Sequence, residues 1–355
     1  MNKKKLEELA FFQKLSQRGR TLGLDVLVFT AEDVKPDQTA IRALVFDRTS
    51  GKWIRRWTNI PDLIYDRCRY QGPVKYHQVK AFRNQFPKLI YLGRPLANKW
   101  VIYQYMSEND RIAPHLPVTV KFTGIPDTVK FIKKHKLVYL KPRNGTGGRG
   151  ILRIEQTSSG NYLVQGRNAN RVILQPQRIS DAQLAAKLGA LGLTEQYLVQ
   201  QGINLVLPDG RVHDFRLLIQ KNGRGQWDVT GCAGRIGAPR SITSNLHGGG
   251  TAAQTEQLLA RRFPRAQVAA IERSMHRLAY IIADHLEQKY GSLCELGIDL
   301  AVDPKGHVWL LEVNPKPSRE VFRKIGEKDV YARAISRPLE YALWLLKQRK
   351  QRRSE

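Results

Sequence analysis

Residues 297–315 read GIDLAVDPKGHVWLLEVNP, and this stretch decides the fold more than any other part of the chain. Its two apolar runs flank the turn sequence of residues 303–306, DPKG, which predicts a β-hairpin. Asp299 and Glu312 are placed symmetrically about the peptide bond between residues 305 and 306, so an unbulged hairpin sets them opposite each other. Asn314 lies two residues after Glu312 and therefore on the same face of its strand.

Two opposed carboxylates with apolar neighbours repel each other, and a divalent cation between them removes the conflict. Asp, Glu and Asn offer the hard oxygen atoms that suit Mg²⁺, particularly when the ion is shared with phosphate oxygens. Asp299, Glu312 and Asn314 are therefore the predicted metal ligands. The alternative is a pair of solvated carboxylates on an exposed strand face, and the apolar flanking residues argue against it.

A glycine-rich loop lies in residues 137–155, which read LVYLKPRNGTGGRGILRIE. Residues 145–150 satisfy the pattern G-x-G-x-x-G, but a strand-like run follows where a dinucleotide-binding loop needs a helix, and the sequence lacks the Gly-Lys-Ser/Thr of a Walker loop. The order strand, loop, strand predicts a flap whose backbone N–H groups close over phosphates, with Lys141 adding a positive charge near them. An ordinary glycine hairpin with a surface lysine is the alternative.

Composition sets wider limits on the class of protein. The chain has 355 residues, which predicts two or three associated lobes, and it has no apolar run of membrane-spanning length. Its formal net charge of +28 predicts attraction to an acidic partner or nucleic acid, with a solvated basic surface as the plain alternative. Three scattered cysteines without metal-ligand spacing indicate reduced thiols in a cytoplasmic protein.

Periodicity and turn chemistry predict several further elements. They are a hairpin of residues 40–47 and 52–57, a helix at 99–107, an antiparallel meander over 197–231, a long helix with apolar positions from 268 to 286 that ends at Gly291, and a final helix beginning near Pro338.

The order of these motifs resembles the ATP-grasp superfamily, and within it the YheC/YheD-like branch of endospore-associated proteins. The resemblance covers most of the chain, and it is carried by NKW (98–100), YLKPRNGTGGRGI (139–151), YLVQQGI (197–203), HDFRLLIQ (213–220), GIDL (297–300) and LEVNP (311–315). The segment TSNLHGGG (243–250) resembles a substrate-side loop of RimK-like glutamate ligases.

The resemblance implies an α/β (α+β) architecture, the ATP-grasp fold, in which two antiparallel-sheet lobes sandwich ATP behind a small α/β N-terminal domain. The implied domains are residues 1–95 for the N-terminal domain, 96–197 for the central lobe with the flap, 198–340 for the C-terminal lobe with the metal site, and 341–355 for a basic tail.

The resemblance also implies roles for individual residues. The ATP-binding residues would be Lys99, Lys141, Gly145, Thr146, Gly147, Gly148, Gly150, Gln200, Gln201, Gly202, Ile203 and Asp214. The catalytic residues would be Arg216, Arg235 and Asn245, and the substrate loop would contain His247, Gly248 and Gly249. The structural alternatives are an ion pair between Arg216 and Asp214 and a surface position for Arg235. Whether His213 or His247 acts as a general base is left open.

The implied activity is ATP-dependent ligation of a carboxylate to an amine through an acyl phosphate, with ATP and two Mg²⁺ ions as cofactors and Mn²⁺ as an alternative ion. The substrates would be a small molecule or peptide with a carboxylate and an amine, in the cytoplasm or associated with a spore, with no membrane partner. Two alternatives stay open: an ATP-grasp kinase that phosphorylates a small acceptor, and a non-enzymatic spore-coat or nucleic-acid-associated protein.

Overall fold

Two large antiparallel sheets face each other across a cavity, and helices cover the opposite face of each sheet. The computed structural model describes residues 8–47, 49–68, 73–145, 148–170, 172–246 and 249–354. Within these ranges, no helix combines the length and the apolar composition that crossing a bilayer requires. The arrangement agrees with the α/β architecture expected from the sequence.

The N-terminal region contains, in its described part, two small sheets, two α-helices and a short 3₁₀-helix (Ala31–Asp33). Its elements are α1 (Leu9–Thr21), β1 (Ala40–Asp47), β2 (Lys52–Asn59), β3 (Leu63–Ile64), α2 (Pro73–Gln85) and β4 (Ile90–Tyr91). Strands β1 and β2 form the predicted hairpin, and β3 pairs with β4 in parallel.

The first large sheet has the strand order β5-β10-β6-β7-β8-β9. In chain order, the elements of this part are α3 (Lys99–Ser107), β5 (Thr119–Lys121), α4 (Ile125–His135), β6 (Leu137–Pro142), β7 (Leu152–Ser158), β8 (Asn161–Arg167), β9 (Ile173–Ser180), α5 (Asp181–Gly189) and β10 (Tyr197–Gln201). Helix α3 contributes Ile102 and Met106 to the hydrophobic core of the other large sheet. Helices α4 and α5 cover one face, where Val138 and Leu140 of β6 are buried. Because side chains alternate along a strand, Tyr139 and Lys141 point to the other face, toward the cavity. Helix α3 has the predicted bounds.

The second large sheet has the order β13-β12-β11-β14-β15. Its strands and helices are β11 (His213–Lys221), β12 (Trp227–Ile236), β13 (Thr251–Gln254), α6 (Thr255–Ala260), α7 (Arg265–Tyr290), β14 (Glu295–Val302), β15 (Val308–Asn314), α8 (Glu320–Lys324) and α9 (Lys328–Ser354). Helix α7 ends at Tyr290 and is capped by Gly291, the predicted stop; it packs on one face and buries Phe215, Leu217 and Ile298. On the opposite face, α1 and α9 cover the end around Leu218, and the other end faces the cavity.

Strand β10 shows that the predicted meander over residues 197–231 is wrong. It pairs with β5 and β6 in the first sheet, whereas β11 and β12 pair in the second. The chain passes from one sheet to the other after Gln201, where the Gly202 N–H donates to the Leu137 carbonyl (2.7 Å). Strands and turns alternate locally in either arrangement, so only long-range pairing distinguishes them.

Helix α9 begins at Lys328 rather than near Pro338, which lies inside it. Proline has no N–H, so the carbonyl of Ala334 has no helical partner at that position. Arg319 Nε (2.9 Å) and Gln220 Nε2 (3.0 Å) donate to the Ala334 oxygen instead. Side chains from other elements therefore satisfy the carbonyl that the proline leaves without a partner.

The crossover at Gly202 has no room for a side chain. An added Cβ would lie 2.3 Å from Leu137 Cγ and 3.0 Å from the Leu137 carbonyl oxygen. Gly202→Ala is expected to lower the free energy of unfolding by about 1–3 kcal/mol, because the strand must shift. Gly93→Ala, whose Cβ meets nothing within 4 Å, is the control, with a change below about 0.5 kcal/mol. Chemical denaturation measures both, and equal effects would contradict the close packing.

Candidate functional site

An inner cavity of about 160 Å³ lies between the two large sheets. It adjoins a wider outer cleft of about 1360 Å³. Lys99, Lys141, Arg235 and Glu312 line both spaces, so one ligand can extend from the inner cavity into the outer cleft.

Most of the predicted site residues that the structure describes border these two spaces. The inner cavity is lined by Lys99, Lys141, Gly145, Gly148, Gln200, Gln201, Ile203, Asp214, Arg235, Asn245, Asp299 and Glu312. The outer cleft adds Gly150, Arg216 and Asn314, whereas Gly202 and Gly249 line neither. Thr146, Gly147, His247 and Gly248 lie outside the described residues.

Lys141 is held between the sheets by a side chain on the neighbouring strand. Its Nζ donates to Gln200 Oε1 (2.6 Å), and Gln200 Nε2 donates to Thr119 Oγ1 (2.8 Å). Burial, together with the positive charge of Lys99, lowers the pKa of Lys141 to about 8. Gln200, which was predicted to contact ATP, therefore also orients Lys141.

Lys99 occupies the first turn of α3, where Asn98 fixes the start of the helix. The Asn98 Oδ1 accepts hydrogen bonds from two backbone N–H groups of that turn (3.0 and 3.2 Å). This cap directs Lys99 into the inner cavity, where its Nζ donates to the Gly145 carbonyl and lies 3.5 Å from Glu312 Oε1.

The β14–β15 hairpin sets Asp299 opposite Glu312, as predicted, but the hairpin contains a bulge. Leu300 pairs with Leu310, and the next pair joins Asp299 to Glu312, so Leu311 is an extra residue in β15. The turn is centred on a residue, whereas the prediction placed its centre on the peptide bond between residues 305 and 306. The extra residue in β15 restores the opposition of Asp299 and Glu312. Leu311 contributes to the walls of both the inner cavity and the outer cleft.

Four charged side chains on three neighbouring strands form a buried network. Arg216 donates to both carboxylate oxygens of Asp299 (2.5 and 3.0 Å). Arg235 donates to both carboxylate oxygens of Asp214 (2.7 and 2.6 Å), and its Nη2 lies 3.1 Å from Asp299 Oδ2. The alternatives of an Asp214–Arg216 pair and of a surface Arg235 are therefore wrong. Burial alone would raise the pKa of Asp299, but the two guanidinium groups hold it below its usual value.

The candidate metal ligands lie side by side on adjacent strands. Glu312 is opposite Asp299, and Asn314 Nδ2 is 3.5 Å from Asp299 Oδ2. Oxygen atoms from two carboxylates and an amide fit a Mg²⁺ ion that takes its other ligands from phosphate and water. In the described ranges, no three or more His, Cys, Asp and Glu side chains are grouped to hold a metal, so the protein alone would leave such an ion partly coordinated.

The glycine flap between β6 and β7 packs against the loop that follows β12. Gly148 has a φ of 74°, and a Cβ at this position would lie 2.9 Å from Asn245 Nδ2 and 3.4 Å from Thr243. Glycine therefore permits both the backbone conformation and the close approach of the flap to Asn245.

An apolar wall of the inner cavity was largely missed by the sequence prediction. It consists of Ile151, Leu205, Val212, Ile242 and Leu311, together with the predicted Ile203. Such a surface suits a flat, weakly polar ring. In sequence these residues look like any buried strand residue, so no local signal identifies them.

His213 lines the inner cavity, but the protein occupies both of its ring nitrogens. Nδ1 donates to the Leu205 carbonyl (2.8 Å), and Nε2 accepts from Arg262 Nη1 (3.2 Å). Burial lowers the pKa of His213, which keeps the ring neutral. This geometry favours a structural role over that of a general base.

Comparison with known proteins agrees with the motif order and the fold. A family model described as "YheC/D like ATP-grasp" matches residues 88–345. The endospore coat-associated protein YheC of Bacillus subtilis (strain 168) is 27% identical over 92% of this chain and 90% of its own length. YheD of the same strain is 27% identical over 94% of this chain and 74% of its own length.

The solved structure of the ATP-grasp ligase PsnB with its minimal precursor is similar in fold. The TM-score is 0.53 at 12% sequence identity, covering 93% of this chain and 95% of that one. Together with the family model, this similarity confirms the ATP-grasp fold implied by the motifs.

The charge network generates a prediction about stability. Asp214→Ala leaves the buried Arg235 with Asp299 as its remaining carboxylate partner among the described residues, so the free energy of unfolding should fall by on the order of 3 kcal/mol. Asp209→Ala is the matched control, because Asp209 forms an exposed ion pair with Arg211 and should matter little. Thermal and chemical denaturation compare the two variants, and similar effects would argue that the network contributes no more than a surface pair.

Proposed function

Because the chain belongs to the YheC/D-like family of ATP-grasp proteins, we propose that it binds MgATP between its two large sheets and uses it to join a carboxylate to an amine. The main observation in support of this proposal is the ion pair of Lys99 and Glu312, whose Nζ and Oε1 atoms lie 3.5 Å apart. One comes from the start of α3 and the other from β15. A metal-bound phosphate requires a positively charged side chain near its oxygen atoms and a carboxylate that binds the metal ion.

The inner cavity supplies a distinct surface for each part of the nucleotide. In this proposal the apolar wall binds the adenine ring, and Lys99 and Lys141 bind phosphate oxygens. Backbone N–H groups of the flap approach the phosphates from the side of the first sheet. Asp299, Glu312 and Asn314 would hold Mg²⁺, which would offset the negative charge of the phosphates during transfer.

The carboxylate substrate lies in the outer cleft, beside Arg216 and Arg235. Its oxygen attacks the γ-phosphorus of ATP, the bond to the β–γ bridging oxygen breaks, and an acyl phosphate and ADP form. The amine nitrogen then attacks the acyl carbon, inorganic phosphate leaves, the nitrogen loses a proton to solvent, and an amide forms. The two guanidinium groups offset the negative charge near the transferring group, and their aspartate partners keep them oriented.

Isothermal titration calorimetry with MgATP tests the proposal on the parent protein and on Glu312→Gln. The parent is expected to bind ATP only with Mg²⁺, and the variant should lose at least about tenfold in affinity because it removes a carboxylate from the metal site. Glu195→Gln, at an exposed position before β10, is the matched control and should bind like the parent.

The products then separate ligation from the other activities. ADP release that depends on a carboxylate and an amine, with amide formation, supports the ligase, whereas a stable phosphorylated acceptor identifies a kinase. A folded parent that does not bind MgATP would contradict both and favour a non-enzymatic protein. The names of the two Bacillus relatives make a spore the setting that we propose, and finding the chain in vegetative cells but not in sporulating ones would refute that setting.

The lowered pKa of Lys141 predicts how ATP binding depends on pH. With a pKa of about 8 instead of 10.5, Lys141 is positively charged below that pH and neutral above it. Phosphate favours the charged form, so the affinity for MgATP should fall between about pH 7 and about pH 9, and binding at about pH 9 should take up nearly one proton.

Calorimetry in buffers of different ionisation enthalpy measures this proton uptake. Lys141→Gln should abolish it, whereas Lys305→Gln in the exposed hairpin turn should retain it. Equal uptake by the parent and Lys141→Gln would show that another group titrates.

A further inference from the structure

More cationic than anionic side chains line the outer cleft. Eight Lys and Arg side chains and two Glu side chains line it: Lys99, Lys141, Arg143, Arg149, Arg216, Arg235, Lys316 and Lys324, with Glu312 and Glu320. Both glutamates already face a cation, because Glu312 lies near Lys99 and Glu320 pairs with Arg323 (2.7 Å). The cleft therefore has an excess of positive charge that its own carboxylates do not balance.

Three of these positively charged side chains have no interaction partner among the described residues. Arg216 and Arg235 belong to the buried charge network, but the side chains of Arg143, Arg149 and Lys324 form no ion pair or hydrogen bond within the described residues. The Nε of Arg143 is buried and has no hydrogen-bond partner there. Arg143, Arg149 and Lys324 therefore line the outer cleft without a charged partner among the described residues.

The three unengaged cations lie on opposite walls of the outer cleft. Arg143 and Arg149 flank the glycine flap of the first sheet, and Lys324 is the last residue of α8, which follows the second sheet. A ligand that contacts all three therefore spans the outer cleft and carries more than one negative charge.

We propose that the outer cleft binds an acidic peptide, one of whose carboxylates is activated while others are held by Arg143, Arg149 and Lys324. This inference rests on the proposed ligase function. The volume of about 1360 Å³ exceeds the range of roughly 300–1,000 Å³ that is usual for small-molecule pockets. A nucleic acid matches the charge but lacks the carboxylate that the reaction consumes.

Fluorescence anisotropy of a labelled hexaglutamate peptide tests the inference on the 355-residue chain without nucleotide. We expect the parent to bind hexaglutamate and not hexaglutamine. The pair Arg143→Gln and Lys324→Gln should weaken binding by at least about tenfold, because each cation contributes a charged hydrogen bond. The pair Arg149→Gln and Lys324→Gln, at two exposed positions, provides a second variant if the first does not fold.

The matched control also removes two positive charges, but from helices on the faces of the sheets that point away from the outer cleft. It combines Arg273→Gln on α7 with Lys134→Gln on α4, both exposed, and it should leave peptide binding within about twofold of the parent. An equal loss in the control would overturn the proposal, because the net charge alone would then attract the peptide. An oligodeoxynucleotide that competes as tightly as hexaglutamate, and that loses affinity in the same cleft variants, would also overturn it.

Calorimetry with MgATP on the parent separates this inference from the proposed function. A parent that binds MgATP but not hexaglutamate would overturn the acidic peptide and leave the nucleotide site intact. A parent that binds hexaglutamate but not MgATP would overturn the ligase, and with it the role of the peptide as a substrate.

Discussion

The geometry of the site depends on a buried charge network in which an oppositely charged neighbour holds each side chain in place. Asp214, Arg216, Arg235 and Asp299 lie where water is largely excluded, and each of these charges needs an opposite partner. Two cations and two anions satisfy that need only while β11, β12 and β14 keep their register. A slip by one residue would turn these charges into the apolar layer under α7. The position of Glu312 follows, because β15 is paired to β14.

A second buried carboxylate connects this sheet to the N-terminal region. Glu295 accepts hydrogen bonds from Arg67 (3.1 Å) and from Arg319, and both arginines also donate to the Pro317 carbonyl (3.1 Å each). The segment just after Asn314 is therefore fixed by Arg67, which is far away in the chain, and by the nearby Arg319, and neither residue lines the inner cavity. Through this contact the N-terminal region supports the site without lining the inner cavity.

Elements with a local pattern were predictable from the sequence, and elements that depend on distant partners were not. The opposition of Asp299 and Glu312 followed from strand alternation around one turn, but the bulge at Leu311 did not, because a turn sequence does not reveal where the turn is centred. The Asp214–Arg235 pair and the place of β10 depend on registers between distant strands. The structure gathers most of the described candidates around one cavity, and their chemical roles stay predictions.

The burial of Lys141 has a consequence for which ligands the inner cavity accepts. A desolvated ammonium group close to a second one, that of Lys99, raises the energy of the empty pocket, and any ligand that brings negative charge releases that energy on arrival. Under the proposed function, an uncharged nucleoside would contact the apolar wall but would leave this repulsion in place. Negative charge on the ligand would then contribute to selection together with shape, and the burial of Lys141 would lower the stability of the fold that carries it.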